Sequence, residues 1–71
     1  MRLRDLREDR DLTQTDIAKM LNIRQNTYSQ YENGQRQLPL EALINLAEFY
    51  GTSTDYILGL TDEEAPYPRR K

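Results

Sequence analysis

The sequence predicts an all-α domain, a compact bundle of five short helices. Three observations lead there. Apolar residues recur at three- and four-residue spacing, no segment alternates with the two-residue period of a strand, and Asn22, Gly34, Gly51 and Gly59 interrupt the pattern at short intervals. With 71 residues the chain makes one domain, with a core that buries only a modest part of it.

Each element has its own justification. Leu3 and Leu6 share one face of a first helix over about residues 2–10, whose other positions are charged. Asp11-Leu12-Thr13 interrupts it, and Thr13 caps a second helix of about two turns starting near Gln14. Asp16 stands at the third position, where a capping box usually has Glu or Gln. Ile17, Ala18 and Leu21 form the apolar stripe of this helix, and Asn22 ends it as a left-handed cap. The third helix runs from Arg24 or Gln25 to Asn33, and Gly34 supplies the positive φ that terminates it. Gln35 to Leu38 make a loop. Pro39 stands where a first-turn proline is tolerated, ahead of Leu40, Leu43, Leu46, Ala47 and Tyr50 in a fourth helix that Gly51 stops. Ser53 or Thr54 caps a fifth helix carrying Tyr56, Ile57 and Leu58, and Gly59 ends it. The domain is thus expected over residues 1–60. Residues 61–71, TDEEAPYPRRK, hold two prolines and several charges, the composition of a flexible tail.

Composition excludes several functions. There is no cysteine or histidine, so disulfides, thiolate or imidazole metal sites and the commonest general base are all missing. No cofactor is expected, and no catalytic constellation assembles from the remaining Asp, Glu, Ser and Tyr. No apolar run approaches the roughly 20 residues that span a bilayer, and MRLRDLREDR lacks the apolar stretch of a signal peptide. A soluble, cytoplasmic domain is the expectation. Net charge is −2, yet charges are unevenly placed. Arg2, Arg4, Arg7 and Arg10 cluster at the start, and Arg24 and Arg36 bracket the third helix. A locally positive face is compatible with the acidic total, which predicts weak non-specific affinity for polyanions.

The segment NIRQNTYSQYENGQR at positions 22–36 is unusually rich in side-chain amides. Helical geometry turns Tyr28 and Tyr31 to one side, while Gln25, Asn26, Ser29, Gln30 and Asn33 line an adjacent polar ridge. Amides carry donors and an acceptor together and match adenine N6 and N7 in the DNA major groove. A merely solvated face explains such a ridge equally well. The context tips the balance: two short helices joined by a turn at Asn22-Ile23, with Ile23 as the apolar residue to bury, make a helix-turn-helix.

Residues 12–58 resemble the Cro/repressor-type, or Xre-like, helix-turn-helix family. The resemblance rests on LTQ-x-x-I-A, the Tyr-Glu-Asn-Gly closing the third helix, and LEALINLAEFYGTSTDYIL. It implies a lambda-repressor-like fold and binding to double-stranded DNA as a transcriptional regulator, repressor rather than activator, associated with the nucleoid when bound. It implies base contacts from Gln25, Asn26, Ser29 and Gln30, with Gln14 touching phosphate and supporting Gln25. Asn33, Gln35 and Arg36 match the family's phosphate-contacting loop, and Glu32 its inward ion pair with the position held by Arg7. Arg24 departs from the usual Ser, Thr or Asp cap. Its charge opposes the helix dipole unless a phosphate lies nearby, so a backbone contact is expected of it too.

Thr52 and Thr54 stand where the family more usually has apolar residues, which puts the packing of the fifth helix in question. Tyr56, Leu58 and Leu60 are expected to join two copies as a homodimer on a near-palindromic operator, the two recognition helices about 34 Å apart. Completing the core is their alternative role. Antitoxins share the fold, so an antitoxin or adaptor that binds a protein partner is the second reading. The closing Arg69-Arg70-Lys71 either tracks phosphates or is solvated.

Overall fold

Caps set the helix boundaries. Thr13 Oγ1 accepts the Asp16 N–H at 3.1 Å and Asp16 Oδ2 accepts the Thr13 N–H at 2.9 Å, a closed capping box despite the short carboxylate. Of the two candidates ahead of the last helix, Ser53 is the cap, its hydroxyl accepting the Tyr56 N–H at 3.0 Å. In the computed structural model, which describes residues 1–68, the order is α1 (Leu3–Asp9), α2 (Gln14–Leu21), α3 (Gln25–Glu32), α4 (Leu40–Tyr50) and α5 (Thr54–Leu58). The described residues contain no strand.

Local deviations from expectation are small. Pro39 precedes α4 as its N-cap, with φ −62° and ψ 148°, instead of opening the first turn. Asn22 adopts φ 58° and ends α2 as expected, while Asp11, at φ 55°, is a second left-handed residue that the sequence did not mark. The turn at Asp11 lets the Leu12 N–H return to the Arg7 carbonyl at 3.1 Å, closing α1 before α2 begins.

Every helix contributes to one core. Leu3, Ile17, Tyr28, Leu46 and Ile57, one from each helix, are the largest fully covered side chains. Leu21 and Ile23 pack on this cluster and fix the turn between α2 and α3. Tyr28 and Tyr31 are both buried, as their spacing predicts.

Thr52 is buried, and its hydroxyl donates to the Glu64 carbonyl at 2.5 Å. The segment after α5 therefore supplies the acceptor that a buried hydroxyl requires. Arg2 holds the same segment, donating through Nη1 to the Tyr56 and Thr61 carbonyls at 2.7 and 2.6 Å and pairing with Asp62 at 2.8 Å. Tyr67 adds a hydrogen bond from its hydroxyl to Asp55. Residues 61–68 thus lie against the body without regular secondary structure. Arg69, Arg70 and Lys71 lie outside the described residues.

Candidate nucleic-acid interface

α3 presents its ridge to solvent because its opposite side is pinned by Tyr28 and Tyr31. From 22 to 38 the chain carries three charges, Arg24, Glu32 and Arg36. Both arginines are exposed, whereas the Glu32 side chain has no exposed surface at all. The outer face of α3 and its following loop is therefore neutral to positive, although the whole chain is acidic.

Glu32 is held from several directions. Arg7 donates to it from Nε at 2.7 Å and from Nη2 at 3.2 Å, and Gln14 Nε2 donates at 3.1 Å. Arg4 lies 3.5 Å away, and Arg7 Nη1 also donates to the Leu12 carbonyl at 2.9 Å. Burial pushes the Glu32 carboxyl up, but the hydrogen bonds from Arg7 and Gln14 and the nearby Tyr28 hydroxyl outweigh it, and the net shift is downward. The pairing with Glu32 raises Arg7 in turn. Tyr28 is pushed up by burial first and by the facing Glu32 carboxylate second. Its hydroxyl faces that carboxylate without closing a well-formed hydrogen bond. The inward ion pair between Arg7 and Glu32 is thus as expected, and Gln14 is an additional member of it.

Gln14 links this buried group to the surface. Its Oε1 accepts Gln25 Nε2 at 2.7 Å, so a chain of hydrogen bonds runs from Arg7 through Glu32 and Gln14 to Gln25 at the start of α3. Asn26 beside it is exposed, and Ser29 is half-buried with a long 3.5 Å contact from Asn33 Nδ2. Gln30 Oε1 accepts Arg36 Nε at 3.0 Å, which leaves the Gln30 amide N–H groups as its outward donors.

The loop after α3 closes that helix. Gly34, at φ 75°, turns the chain so that the Gln35 and Arg36 N–H groups reach the Gln30 carbonyl at 2.9 and 3.3 Å. These backbone donors are consumed inward, so an anion at this loop must be met by the side chains of Asn33, Gln35 and Arg36. Arg4 Nη2 donates to Asn33 Oδ1 at 3.0 Å and brings a further guanidinium to that end of α3. Sequence reasoning assigned Arg4 no role at the interface. Its only mark is its place in the arginine cluster of α1. At the opposite end Arg24 has extended backbone, φ −74° and ψ 148°, and makes no side-chain cap, as its chemistry requires.

The three residues expected to join two copies sit differently from one another. Tyr56 is partly buried under the Arg2 guanidinium, 4.2 Å from its ring centre. Leu58 is 41% and Leu60 73% exposed, while Ile57 belongs wholly to the core. Leu58 also lines an open, largely apolar cleft with Met1, Leu38, Leu40 and Leu43, and Arg36 is part of its lining. Among the described residues there is no cluster of side chains able to hold a metal and no helix long and apolar enough to cross a membrane.

Comparison with known proteins gives this geometry its context. A family profile described as Helix-turn-helix matches residues 3–57. An uncharacterized HTH-type transcriptional regulator of Bacillus subtilis, YobD, is 43% identical over 70 residues, covering 99% of this chain and 62% of the relative. The cryptic phage CTXphi transcriptional repressor RstR of Vibrio cholerae is 44% identical over 50 residues, 70% of this chain and 45% of the repressor. The HTH-type transcriptional regulator ImmR of Bacillus subtilis is 40% identical over 58 residues, 82% of this chain and 46% of the regulator. The chain spans about half to three-fifths of the length of these relatives. No solved structure gives a significant match. Five helices around one core, the α2-turn-α3 unit and a family match over most of the chain identify it as a member of the Cro/repressor-type, Xre-like helix-turn-helix family.

Proposed function

We propose that the chain binds double-stranded DNA in a sequence-specific manner as a transcriptional regulator, a repressor in the first instance, with α3 in the major groove. One observation carries the reading: the exposed face of α3 bears neutral hydrogen-bonding groups between two arginines, and its one carboxylate is fully covered. Gln25, Asn26, Ser29 and Gln30 read base edges, and Gln14, Arg24, Asn33, Gln35 and Arg36 position the helix on phosphates. The names of relatives, a phage repressor among them, support the same assignment.

One helix reads only a few base pairs, and the net charge of −2 limits the electrostatic contribution. A pair of copies on a near-palindromic site supplies the missing affinity. The exposed Leu58 and Leu60, with Tyr56 beside them, form the joining surface. Selection of bound sequences from a random DNA pool at two salt concentrations tests the reading. Enrichment of one motif with two related halves is expected; binding that falls with salt and enriches no motif would refute it. Leu60→Asp should weaken DNA binding and abolish self-association, and unchanged sedimentation at high concentration would end the dimer assignment.

A further inference from the structure

The hydrogen bonds leading to Gln25 have a direction as well as a path. An ionised carboxylate only accepts, and Arg7 at 2.7 Å keeps Glu32 in that form. Gln14 must therefore turn its NH₂ toward Glu32, at 3.1 Å, and its carbonyl outward. That carbonyl is met by a donor, Gln25 Nε2 at 2.7 Å. Gln25 is left with one N–H and its carbonyl oxygen facing solvent.

One donor beside one acceptor is the pattern complementary to adenine N7 and N6. Guanine presents two acceptors, N7 and O6, and asks for donors alone. Were Gln14 free to flip, its NH₂ would face Gln25, the Gln25 carbonyl would turn inward, and both of its N–H groups would point out toward a guanine. We propose that Glu32, acting through Gln14, sets the polarity of the Gln25 amide and so makes this position read adenine in preference to guanine. Glu32 and Gln14 are positioning residues, and Gln25 is the group that touches the base. The inference rests on the reading of Gln25 as a base contact.

The test compares adenine with guanine at the one base pair whose preference disappears in Gln25→Ala. Wild-type chain should favour adenine there by about tenfold, within the range of a bidentate contact. Gln14→Met keeps the Arg7–Glu32 pair and a good helix former but removes the amide. It should bring that ratio within about threefold of parity while the preferences at other base pairs stay unchanged. Loss of overall affinity does not enter the ratio. Glu32→Gln should relax the same position, and Gln14→Met serves alone if that variant does not fold.

In the free protein, nuclear magnetic resonance of side-chain amides gives a readout without DNA. The two Gln25 amide protons should be well separated, one of them hydrogen-bonded, and should converge in Gln14→Met. An undiminished adenine preference in Gln14→Met, or Gln25 amide resonances that do not move, would overturn the relay and leave base reading intact. If Gln25→Ala alters no base preference at all, the reading of Gln25 as a base contact fails, and the relay fails with it.

Discussion

Replacing Arg7 by Leu should be among the most damaging single changes available in this fold, and its pH dependence should reveal the cause. The substitution removes two hydrogen bonds to a carboxylate with no exposed surface, and a third to the Leu12 carbonyl. Breaking a buried pair by deleting one partner costs about 3–5 kcal/mol. Gln14 still donates to Glu32, and Arg4 is 3.5 Å away, so the lower end, about 3 kcal/mol, is expected. At 71 residues the whole domain has roughly 4–11 kcal/mol of stability. Such a loss should lower the Tm by roughly 12–24 °C.

The acid limb is diagnostic. In the wild type the folded-state pKa of Glu32 is depressed, so its contribution is present above the unfolded value of about 4.3 and is lost as pH falls through the folded one. Without Arg7, burial dominates and raises that pKa. Variant stability should then increase as pH falls through the raised value toward the ordinary carboxylate range. Urea unfolding followed by circular dichroism over this range, with the wild-type curve subtracted, cancels the other carboxylates. A cost below about 1 kcal/mol, or parallel acid limbs, would refute the account.

Further outcomes follow from other contacts. Tyr50→Phe removes a buried hydroxyl that has no hydrogen-bond partner, so it should leave stability unchanged or raise it by about 1 kcal/mol in denaturant titration. Burial, followed by the charge of Glu32, pushes Tyr50 up to about 12 and pushes Tyr28 upward too. Their neutral forms support the fold below about pH 10, and that support is lost as pH rises further, so tyrosinate absorbance should rise together with unfolding. Thr13→Ala opens the capping box and should cost about 0.5–2 kcal/mol in thermal unfolding. Asp16, held below its usual value first by the Thr13 backbone N–H and then by the hydroxyl, should titrate higher in that variant. Arg24→Ala should lower affinity evenly across DNA sequences, as loss of a phosphate contact does; an effect confined to one base pair, seen by titrating single-substitution sites, would contradict that role.

Legibility in the sequence followed the range of the interactions. Helix ends at Thr13, Asn22 and Gly34 were readable, and that at Ser53 to within one residue, because each depends on neighbours within four residues. The left-handed turn at Asp11 was not, although Asp is among the few side chains that tolerate it. The inward turn of Glu32 toward Arg7 was expected from the family resemblance, and the 2.7 Å contact between them bears it out. Its bond to Gln14 joins residues 18 positions apart, and no local pattern encodes it. The same holds for Arg4 with Asn33, and for Thr52, whose buried hydroxyl finds its acceptor 12 residues later. Composition alone does not reveal that contact: the charged, proline-bearing segment after α5 supplies, at Glu64, the carbonyl that the buried Thr52 hydroxyl needs.

The buried pair presents a choice between stability and recognition, and a double substitution separates them. Exchanging both members of a buried ion pair for apolar residues of similar volume is often neutral or stabilising by about 1–4 kcal/mol, because the desolvation penalty disappears with the charges. Arg7→Leu with Glu32→Leu should therefore recover most of the stability lost in Arg7→Leu alone. It also removes the acceptor that orients Gln14. That side chain is only half-buried, so water can satisfy its amide in either orientation. The double variant should fold with a Tm near that of the wild type, yet bring adenine and guanine close to parity at the base pair whose preference disappears in Gln25→Ala. If the doubly apolar chain is stable and still prefers adenine by the wild-type margin, the ion pair serves stability alone and amide polarity has another origin. If it is stable and the preference is gone, the carboxylate is retained at this position for what Gln14 does with it, and stability is not the reason for burying a charge here.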